Sequence, residues 1–215
     1  MKQVSADVEP SEAKPGGYDD GYAACPCFWG REPGSLVRTF LSQRSVSSLR
    51  VLDLGCGEGK NAFAFANAGA SVVAVDCSDL ALKNGKSAFG THKIEWRHED
   101  CISYLEKCEG FDVVVMYGLL HCLRSVNEIA SAITRAVRAT KMGGCHLLVA
   151  FNDGPHDLSA HPSFEPTLAS HAFYVRQYRA HIVTFAEDAV IHETHPNNGI
   201  VHFHSLTRLV ARIVP

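Results

Sequence analysis

The sequence lacks the features that mark a secreted, membrane-spanning or nucleic-acid-binding protein. No run of 18 apolar residues occurs, so no segment has the length of a transmembrane helix. Residues 1–17 lack the apolar core of a signal peptide. The formal net charge is −3, so no basic field favours a nucleic acid or an anionic membrane as a partner. We therefore expect a cytoplasmic protein, a monomer or a homodimer, with neither of these partners.

The sequence also lacks a motif with the spacing of a metal site. It has no Cys-x-x-Cys pair and no His-x-x-x-His pair, and the single close pair Cys25-Pro-Cys27 is weak evidence for metal. The eight cysteines are expected to be reduced thiols that pack as small apolar groups. The 12 histidines are expected at the surface or in hydrogen bonds, with His202 and His204 on one face of the last strand. The sequence thus predicts no metal.

What the sequence does contain is an alternation of short apolar segments with helical ones. Pro33 suits the first turn of a helix that precedes the first strand. Alternating buried strands and helices form a mostly parallel sheet with helices on both faces. Strands are predicted at residues 50–54, 71–76, 93–100, 111–118 and 145–151. A turn at residues 141–144 precedes the last of these strands. Helices are predicted at residues 60–69, 78–88 and 125–140.

The chain is predicted to form a single domain over residues 18–215, preceded by a flexible arm at residues 1–17. Residues 18–45 are expected to form an N-terminal lid and helix segment. Residues 152–180 are expected to form an insertion on the substrate side. Its first part, residues 152–170, is rich in His and Pro, and a short helix is predicted at residues 171–180. The sequence Pro196-Asn197-Asn198-Gly199 predicts a hairpin turn, so that two antiparallel strands close the sheet.

The segment VLDLGCGEG, residues 51–59, ends the first strand in three closely spaced glycines. A glycine-rich turn between a strand and a helix lets the backbone approach a ligand closely. The spacing excludes a P-loop, because Lys60 is followed by Asn61 and no glycine stands at the required upstream position. It also departs from the dinucleotide-binding pattern, because the third glycine comes one residue early, at Gly59. The remaining pattern is GxGxG preceded by an acid, Asp53.

This arrangement suits a ligand with an amino acid at one end and a nucleoside at the other. The turn and the start of the following helix can bind the amino-acid end through backbone groups. Asp76, at the end of the second strand, can accept hydrogen bonds from both ribose hydroxyls. Asp100, with the backbone of Cys101, can meet the adenine amino group. Together these features indicate S-adenosylmethionine (SAM) as the cofactor.

The segment VLDLGCGEG, together with Asp76 and Asp100, resembles the class I SAM-dependent methyltransferases. Within that superfamily GCGEGKN (residues 55–61) and the ending EDAVIHETHPNNGIVHFHSLTRLVAR (residues 187–212) are similar to the tellurite-resistance methyltransferases. The resemblance implies a Rossmann-like, doubly wound α/β fold with a mostly parallel seven-stranded sheet in the order 3-2-1-4-5-7-6, and an enzyme acting on a small acceptor. The cofactor contacts expected on this basis are Asp53, Gly55, Cys56, Gly57, Gly59, Asn61, Asp76, Cys77, Asp100, Cys101 and Tyr117.

Transfer of a methyl group from a sulfonium is an in-line displacement, which requires an aligned acceptor and the exclusion of water. Residues 116–123 follow the fourth strand and would lie at the carboxyl edge of the sheet, where open α/β folds bind ligands. There Tyr117 would either line the methyl-transfer channel or pack in the core. His121 would act as a general base, or it would cap the next helix or lie over the cofactor without proton chemistry. The alternatives for both residues stay open.

Residues that would contact the acceptor are predicted in two segments. Before the first strand, Trp29 would shield the sulfonium or stack on the acceptor, or it would fill the base of the core. Arg31 would either hold an anionic substrate or lie in solvent. After the fifth strand, His156, His161 and Arg176 would contact the acceptor.

Other functions also stay open. They are a SAM-binding regulator without turnover, a methyltransferase acting on a peptide, a protein or RNA, and a nucleotide-dependent oxidoreductase. The early third glycine argues against the oxidoreductase, and the mildly acidic charge argues against RNA.

Overall fold

The computed structural model describes residues 18–90, 93–161, 164–195 and 199–215. The arm at residues 1–17 and the turn residues Pro196, Asn197 and Asn198 lie outside the described residues. The strands are β1 (Arg50–Leu54), β2 (Ser71–Asp76), β3 (Ile94–His98), β4 (Phe111–Tyr117), β5 (Thr140–His156), β6 (Ile182–Glu193) and β7 (His202–Arg212). The helices are α1 (Asp19–Ala24), α2 (Ser35–Gln43), α3 (Lys60–Asn67), α4 (Asp79–Phe89), α5 (Cys101–Leu105), α6 (Val126–Ala139) and α7 (His171–Gln177).

The strands form a seven-stranded sheet in the order β3-β2-β1-β4-β5-β7-β6, which confirms the predicted topology. The first five strands run parallel to one another. β7 runs antiparallel to both β5 and β6, so the chain closes the sheet with the predicted C-terminal hairpin. None of the described helices has the length and apolar character needed to cross a bilayer.

Serine caps explain where three of the helices begin. The hydroxyls of Ser78, Ser125 and Ser170 each accept a hydrogen bond from the backbone N–H three residues later, at 3.0–3.2 Å. Such a bond satisfies one of the amides that a helix leaves free in its first turn.

The sheet is buried on both faces. Helices α5, α6 and α7 cover one face, where Ile129, Ile133 and Tyr174 are fully buried. Helices α2 and α3 cover the other face, with Val37 and Phe65 at its centre. Burying side chains of this size contributes about 1.5–3 kcal/mol each. The two-sided burial is also why the central strands are almost continuously apolar in sequence.

The structure corrects several predicted boundaries. β5 runs from Thr140 to His156, so the predicted turn at residues 141–144 lies inside the strand, and the following loop begins later than predicted. The pairing of β5 with β4 shifts between Phe111 and Val113, which marks a bulge. Gly143, with φ +81°, provides the left-handed residue in this irregular part of the strand.

The N-terminal helices also differ from the prediction. Helix α2 begins at Ser35 after the cap residue Gly34, so Pro33 lies before the helix and not in its first turn. Helix α1 was not predicted. Its six residues are too few to show an apolar period, and a helix this short depends on tertiary contacts.

Candidate active site

The glycine-rich turn joins β1 to α3 at the carboxyl edge of the sheet. Gly55, Gly57 and Gly59 have φ values of +63°, +54° and +82°, in the left-handed region that favours glycine. A side-chain carbon at Gly59 would collide with the ring of Trp96, and one at Gly55 would lie 2.7 Å from Leu119. The turn therefore needs glycine both for its conformation and for space. It presents bare backbone where open α/β sheets bind their ligands.

Asp53 precedes this turn and has an unpartnered carboxylate oxygen. The residue is 1% exposed, and its Oδ2 has no hydrogen-bond partner among the described residues. Burial raises the pKa of Asp53 to about 7, and a hydrogen bond with the backbone of Ala62 opposes this shift. A cation delivered by a ligand would pair with this oxygen and favour the ionised form. The orphaned oxygen fits the ammonium group of SAM.

Asp76, at the end of β2, is hydrogen-bonded to the turn. Its Oδ2 accepts a bond from the Gly57 backbone N–H at 2.7 Å, and its Oδ1 accepts one from the Ser78 N–H at 2.9 Å. Burial raises the pKa of Asp76, whereas these two bonds lower it. Each carboxylate oxygen can accept a further hydrogen bond. Asp76 therefore fits the predicted contact with the ribose hydroxyls.

Asp100 lies two residues after the end of β3, which pairs in parallel with β2, the strand of Asp76. Its Oδ1 caps helix α5 by accepting a bond from the Ser103 N–H at 2.9 Å. Cys77 is exposed beside this edge, whereas Cys101 is buried and burial raises the pKa of its thiol. The structure thus brings Asp76, Cys77 and Asp100 to one edge of the sheet, where a nucleoside would have to lie.

Residues 18–31, called the lid segment below, fold over the glycine-rich turn. The Tyr22 hydroxyl lies 2.8 Å from the position that a side-chain carbon at Gly57 would occupy. The Trp29 indole N–H donates a hydrogen bond to the Tyr22 oxygen at 3.3 Å. The ammonium of Lys60, the first residue of α3, donates to the Trp29 carbonyl at 2.7 Å. A ligand lying against Gly57 therefore requires Tyr22 to move.

Two further hydrogen bonds hold the lid segment in place. The Cys27 N–H donates to Oε1 of Glu58 at 2.7 Å, and the Asn84 amide donates to the Tyr22 carbonyl at 2.9 Å. Glu58 is 4% exposed, and its Oε2 has no partner among the described residues. The sequence analysis missed Glu58 and Tyr22. The position of Glu58 between two of the glycines was the available signal, and Tyr22 carried none.

Trp29 and Arg31 occupy different sides of the lid segment. The Trp29 ring packs edge-on against Tyr18 and His195, with ring centroids 4.9 Å apart in both cases. Arg31 instead donates to the Ala88 carbonyl at 2.8 Å, near the C-terminal end of α4. Arg31 therefore does not converge with the other residues predicted to contact the acceptor.

Tyr117 and Asn61 pack against the start of α2. A side-chain carbon at Gly34 would collide with the Tyr117 ring, and Ser35 hydrogen-bonds the Tyr117 hydroxyl. The Gly34 N–H donates to the Asn61 side-chain oxygen at 2.9 Å. These contacts favour the packing alternative for Tyr117. They also give Asn61 a structural partner in place of the predicted cofactor contact.

His121 is buried, and both of its ring nitrogens have neighbours. Nδ1 accepts a hydrogen bond from the Phe151 N–H at 3.1 Å, and Nε2 lies 3.4 Å from the Tyr18 hydroxyl. Because Nδ1 is the acceptor, the proton of the neutral ring is on Nε2. Burial lowers the pKa of His121 to about 3. The ring has no free lone pair in this arrangement, which disfavours its predicted role as a general base.

The predicted acceptor residues His156 and His161 lie in one cluster, but Arg176 does not. The His156 and His204 ring centroids are 5.6 Å apart, and Nε2 of His161 lies 2.9 Å from Nε2 of His195. Arg176 is exposed on α7, whose buried residues pack on the α6 side of the sheet. Two of the three residues therefore come together beneath the lid segment.

The sequence analysis did not predict that further histidines would join this cluster. His161, His195, His202 and His204 are all buried, and Oε1 of Glu193 lies 3.7 Å from Nε2 of His202 and 3.6 Å from Nε2 of His204. Burial lowers the pKa of His161 and His195 to about 4 and that of His204 to about 3, so these rings are neutral at pH 7. The expectation of surface or hydrogen-bonded histidines is wrong for His204, whose two ring nitrogens are buried without a partner among the described residues.

Comparison with known proteins agrees with this geometry. A family model described as a methyltransferase domain matches residues 51–144, from β1 into β5. Demethylmenaquinone methyltransferase of Clavibacter sepedonicus is 31% identical over 121 residues, which are 55% of this chain and 48% of that protein. The chain thus spans about half the length of this curated relative.

Solved structures share the fold. The crystal structure of TehB from Haemophilus influenzae has a TM-score of 0.69 at 21% identity, covering 84% of this chain and 62% of TehB. The 1,6-didemethyltoxoflavin-N1-methyltransferase of Burkholderia thailandensis, solved with its substrate and S-adenosylhomocysteine, has a TM-score of 0.63 at 19% identity, covering 92% of this chain and 86% of that one. Residues 51–144 thus match a methyltransferase domain, and the strand order and the glycine-rich turn agree with that similarity.

Proposed function

We propose that the chain is an enzyme that transfers a methyl group from SAM to a small-molecule acceptor by in-line displacement. One observation carries this proposal. The bare turn at Gly57 is hydrogen-bonded to Asp76 on one side and preceded by the orphaned oxygen of Asp53 on the other. Asp76 and Asp53 thus flank a turn whose glycines carry no side chains, as would suit a ligand with a ribose and an ammonium.

The roles of the residues follow from their positions. SAM, when bound, supplies a methyl group activated by a sulfonium. Asp53 would pair with the ammonium of the ligand, and Asp76 would accept hydrogen bonds from its ribose. The aromatic rings of the lid segment would exclude water, and Trp29, which packs on Tyr18 and donates to Tyr22, would cover the cationic sulfur. The chain contributes to the reaction by aligning the acceptor with the methyl group. Alignment of this kind lowers the activation barrier by up to about 7–11 kcal/mol in favourable cases.

The fold of the lid segment supports a small acceptor. Tyr18, Tyr22, Phe28 and Trp29 pack against each other and against the turn, so an acceptor has to fit between these rings and the C-terminal hairpin. The relatives named above include enzymes whose names specify small molecules, a quinone precursor and a toxoflavin precursor. Both observations favour a small acceptor over a folded macromolecule.

The state of His121 also bears on the acceptor. A base with a free lone pair would have to remove a proton from an amine or a phenol. His121 has no such lone pair in this structure. An acceptor that is already nucleophilic near pH 7, as a thiolate or another soft anion is, would not need His121 to remove a proton.

The test is an assay for S-adenosylhomocysteine with SAM and a panel of thiols, oxyanions, phenols, amines and a short peptide. We expect turnover with a thiol or an oxyanion. Gly57→Ala should abolish it, and Gly199→Ala is the matched control. Both glycines have positive φ, but a side-chain carbon at Gly199 meets nothing within 4 Å.

The assay separates the rival functions. Calorimetric binding of S-adenosylhomocysteine without turnover on any acceptor would favour the regulator. Turnover on the peptide alone would favour a peptide methyltransferase. Absence of S-adenosylhomocysteine binding would overturn the proposal altogether.

A further inference from the structure

Four imidazole nitrogens at the C-terminal hairpin are buried without a hydrogen-bond partner among the described residues. They are Nε2 of His202, both nitrogens of His204 and Nδ1 of His156. A buried polar atom left unpaired costs about 1–3 kcal/mol, and native structures contain few of them. Four such atoms on three neighbouring rings point to a partner that binds several imidazoles at once.

A histidine elsewhere in the chain shows how this protein satisfies a buried ring when no ligand is involved. His146 is fully buried, yet one nitrogen lies 2.8 Å from the Thr140 hydroxyl and the other 2.9 Å from the Tyr178 hydroxyl. Both of its nitrogens are therefore hydrogen-bonded. Burial alone does not account for the unpaired nitrogens of His202 and His204.

His202 has the arrangement expected of a metal ligand. Its Nδ1 donates a hydrogen bond to the Ile200 carbonyl at 2.9 Å, which leaves the lone pair of the neutral ring on Nε2. That Nε2 lies 3.7 Å from Oε1 of Glu193. Metal-binding histidines commonly fix their orientation and tautomer in this way, by donating the other N–H to a backbone carbonyl.

The distances between the candidate ligand atoms fit one ion. Atoms bound to a tetrahedral zinc at about 2.0–2.1 Å lie about 3.4 Å apart. Oε1 of Glu193 is 3.7 Å from Nε2 of His202 and 3.6 Å from Nε2 of His204. His161, His202 and His204 each offer a nitrogen within 4.8 Å of the other two, and Glu193, His195 and His202 form a second such group that shares His202. Nε2 of His161 lies 2.9 Å from Nε2 of His195, so the His161 ring has to turn away from His195 to share an ion with Glu193.

We propose that these four residues, Glu193, His161, His202 and His204, bind one divalent transition-metal ion of the zinc class. Three imidazoles and one carboxylate suit zinc and its neighbours and not magnesium or calcium, which prefer oxygen ligands. The ion lies beneath the lid segment, since the Phe28 and Trp29 rings pack on His195 at the edge of the cluster. The site is formed by the residue 161 loop and both strands of the hairpin.

The test is a titration of the full-length, chelator-treated protein with Co²⁺, followed by displacement with Zn²⁺. We expect one equivalent of Co²⁺ with the visible absorption of a four-coordinate ion. No intense near-ultraviolet band from a thiolate–cobalt bond should appear, which separates this site from the eight cysteines. Zn²⁺ should raise the thermal unfolding midpoint, and Mg²⁺ should not. The assay contains neither SAM nor acceptor, so its outcome is independent of methyl transfer.

Variants identify the ligands. His204→Gln and Glu193→Gln should each weaken Zn²⁺ binding at least about 10-fold. Loss of a residue that only hydrogen-bonds a metal ligand already lowers metal affinity about 10-fold or more, and loss of the ligand itself should lower it at least as much. His192→Gln is the matched control, because His192 lies on the same hairpin with its ring against Phe203. It should bind Zn²⁺ as the unmodified chain does.

Each outcome decides the proposal. A stoichiometric cobalt site that weakens in the two ligand variants supports it. A stoichiometry near zero, a thiolate band, or unchanged affinity in both variants would overturn it. If His204→Gln does not fold, Glu193→Gln gives the answer, because its carboxylate is partly exposed and tolerates the change.

Discussion

The backbone N–H of Gly57 donates a 2.7 Å hydrogen bond to the carboxylate of Asp76, and this bond joins the glycine-rich turn to the neighbouring strand. The bond fixes the distance between the turn and Asp76. A ligand that joins an amino acid to a nucleoside would contact the turn with the one end and Asp76 with the other. The same carboxylate accepts the Ser78 N–H, so its orientation is set from both sides. The turn and the acid therefore act as one preformed unit.

The first prediction concerns this bond. In Asp76→Asn one of the two backbone N–H donors faces an amide NH₂ and loses its acceptor. A hydrogen bond to a charged group contributes about 1.5–3 kcal/mol, so affinity for S-adenosylhomocysteine should fall about 10- to 100-fold by calorimetry. Asp79→Asn, at an exposed carboxylate paired with Lys83 on α4, is the control and should bind normally. Equal affinities in the two variants would contradict the role of Asp76.

The parts of the site that sequence could predict are those encoded within one short segment. Asp53 and the three glycines lie in nine residues, and their order alone predicts a strand, a turn and a ligand. Asp76 follows because it ends the next apolar strand, and parallel strands bring their carboxyl ends to one edge. The strand order was predictable only through the family resemblance, since periodicity does not determine which strands are neighbours.

The histidine cluster could not be predicted in the same way. Its ligand atoms come from the residue 161 loop, the end of β6 and the start of β7. Spacing rules detect ligands one helical turn apart or in Cys-x-x-Cys pairs, and they do not detect pairs across a hairpin. The contacts of the lid segment were missed for a related reason, because Tyr22 meets Gly57 only through tertiary packing.

The second prediction concerns Gly85 in the middle of α4. Alanine normally stabilises a helix interior by about 1 kcal/mol relative to glycine. Here a side-chain carbon would collide with the carbonyl oxygen of Glu58, in the glycine-rich turn, and lie 2.9 Å from Trp96. Gly85→Ala should therefore lower the free energy of unfolding by about 1–3 kcal/mol in urea titrations and weaken S-adenosylhomocysteine binding.

Exposed Ser87 on the same helix provides the comparison. Ser87→Ala should leave stability equal or raise it by about 0.5 kcal/mol. If Gly85→Ala were stabilised as much as Ser87→Ala, the close approach of α4 to the turn would be disproved.

The third prediction concerns stability in acid. Burial lowers the pKa of His146 to about 3, whereas the unfolded chain should titrate near 6.5. Between these values the unfolded state binds more protons, so the free energy of unfolding falls as pH decreases below about 6.5. For this residue the fall approaches about 1.4 kcal/mol per pH unit and amounts to about 1.6 kcal/mol between pH 6.5 and 5.0.

His146→Gln removes this titration. The variant should be less stable than the unmodified chain at pH 7, because Thr140 and Tyr178 lose their partner, but its stability should depend less on pH. Urea titrations at pH 6.5 and 5.0 measure the difference. His98→Gln, at an exposed histidine, should keep the full dependence. An identical pH dependence in His146→Gln would show that His146 is not the group responsible.

The last prediction concerns movement of the lid segment. The Tyr22 hydroxyl lies against Gly57, and the Trp29 indole donates to that hydroxyl, so a ligand on the turn must displace both side chains. The chain has two tryptophans, and the other, Trp96, lies against Gly59 on the same turn. Trp96→Phe leaves Trp29 as the single reporter, and its fluorescence should change in intensity and wavelength on titration with S-adenosylhomocysteine.

Calorimetry on the same variant shows whether the ligand is bound, which makes the fluorescence result decisive. Lys60→Met removes the ammonium that donates to the Trp29 carbonyl, so the lid segment should open more easily and the fluorescence change should be faster in stopped flow. Bound ligand with an unchanged Trp29 signal would mean that the cofactor reaches the turn without displacing the lid segment. The contact between Tyr22 and Gly57 would then have to be compatible with the bound state.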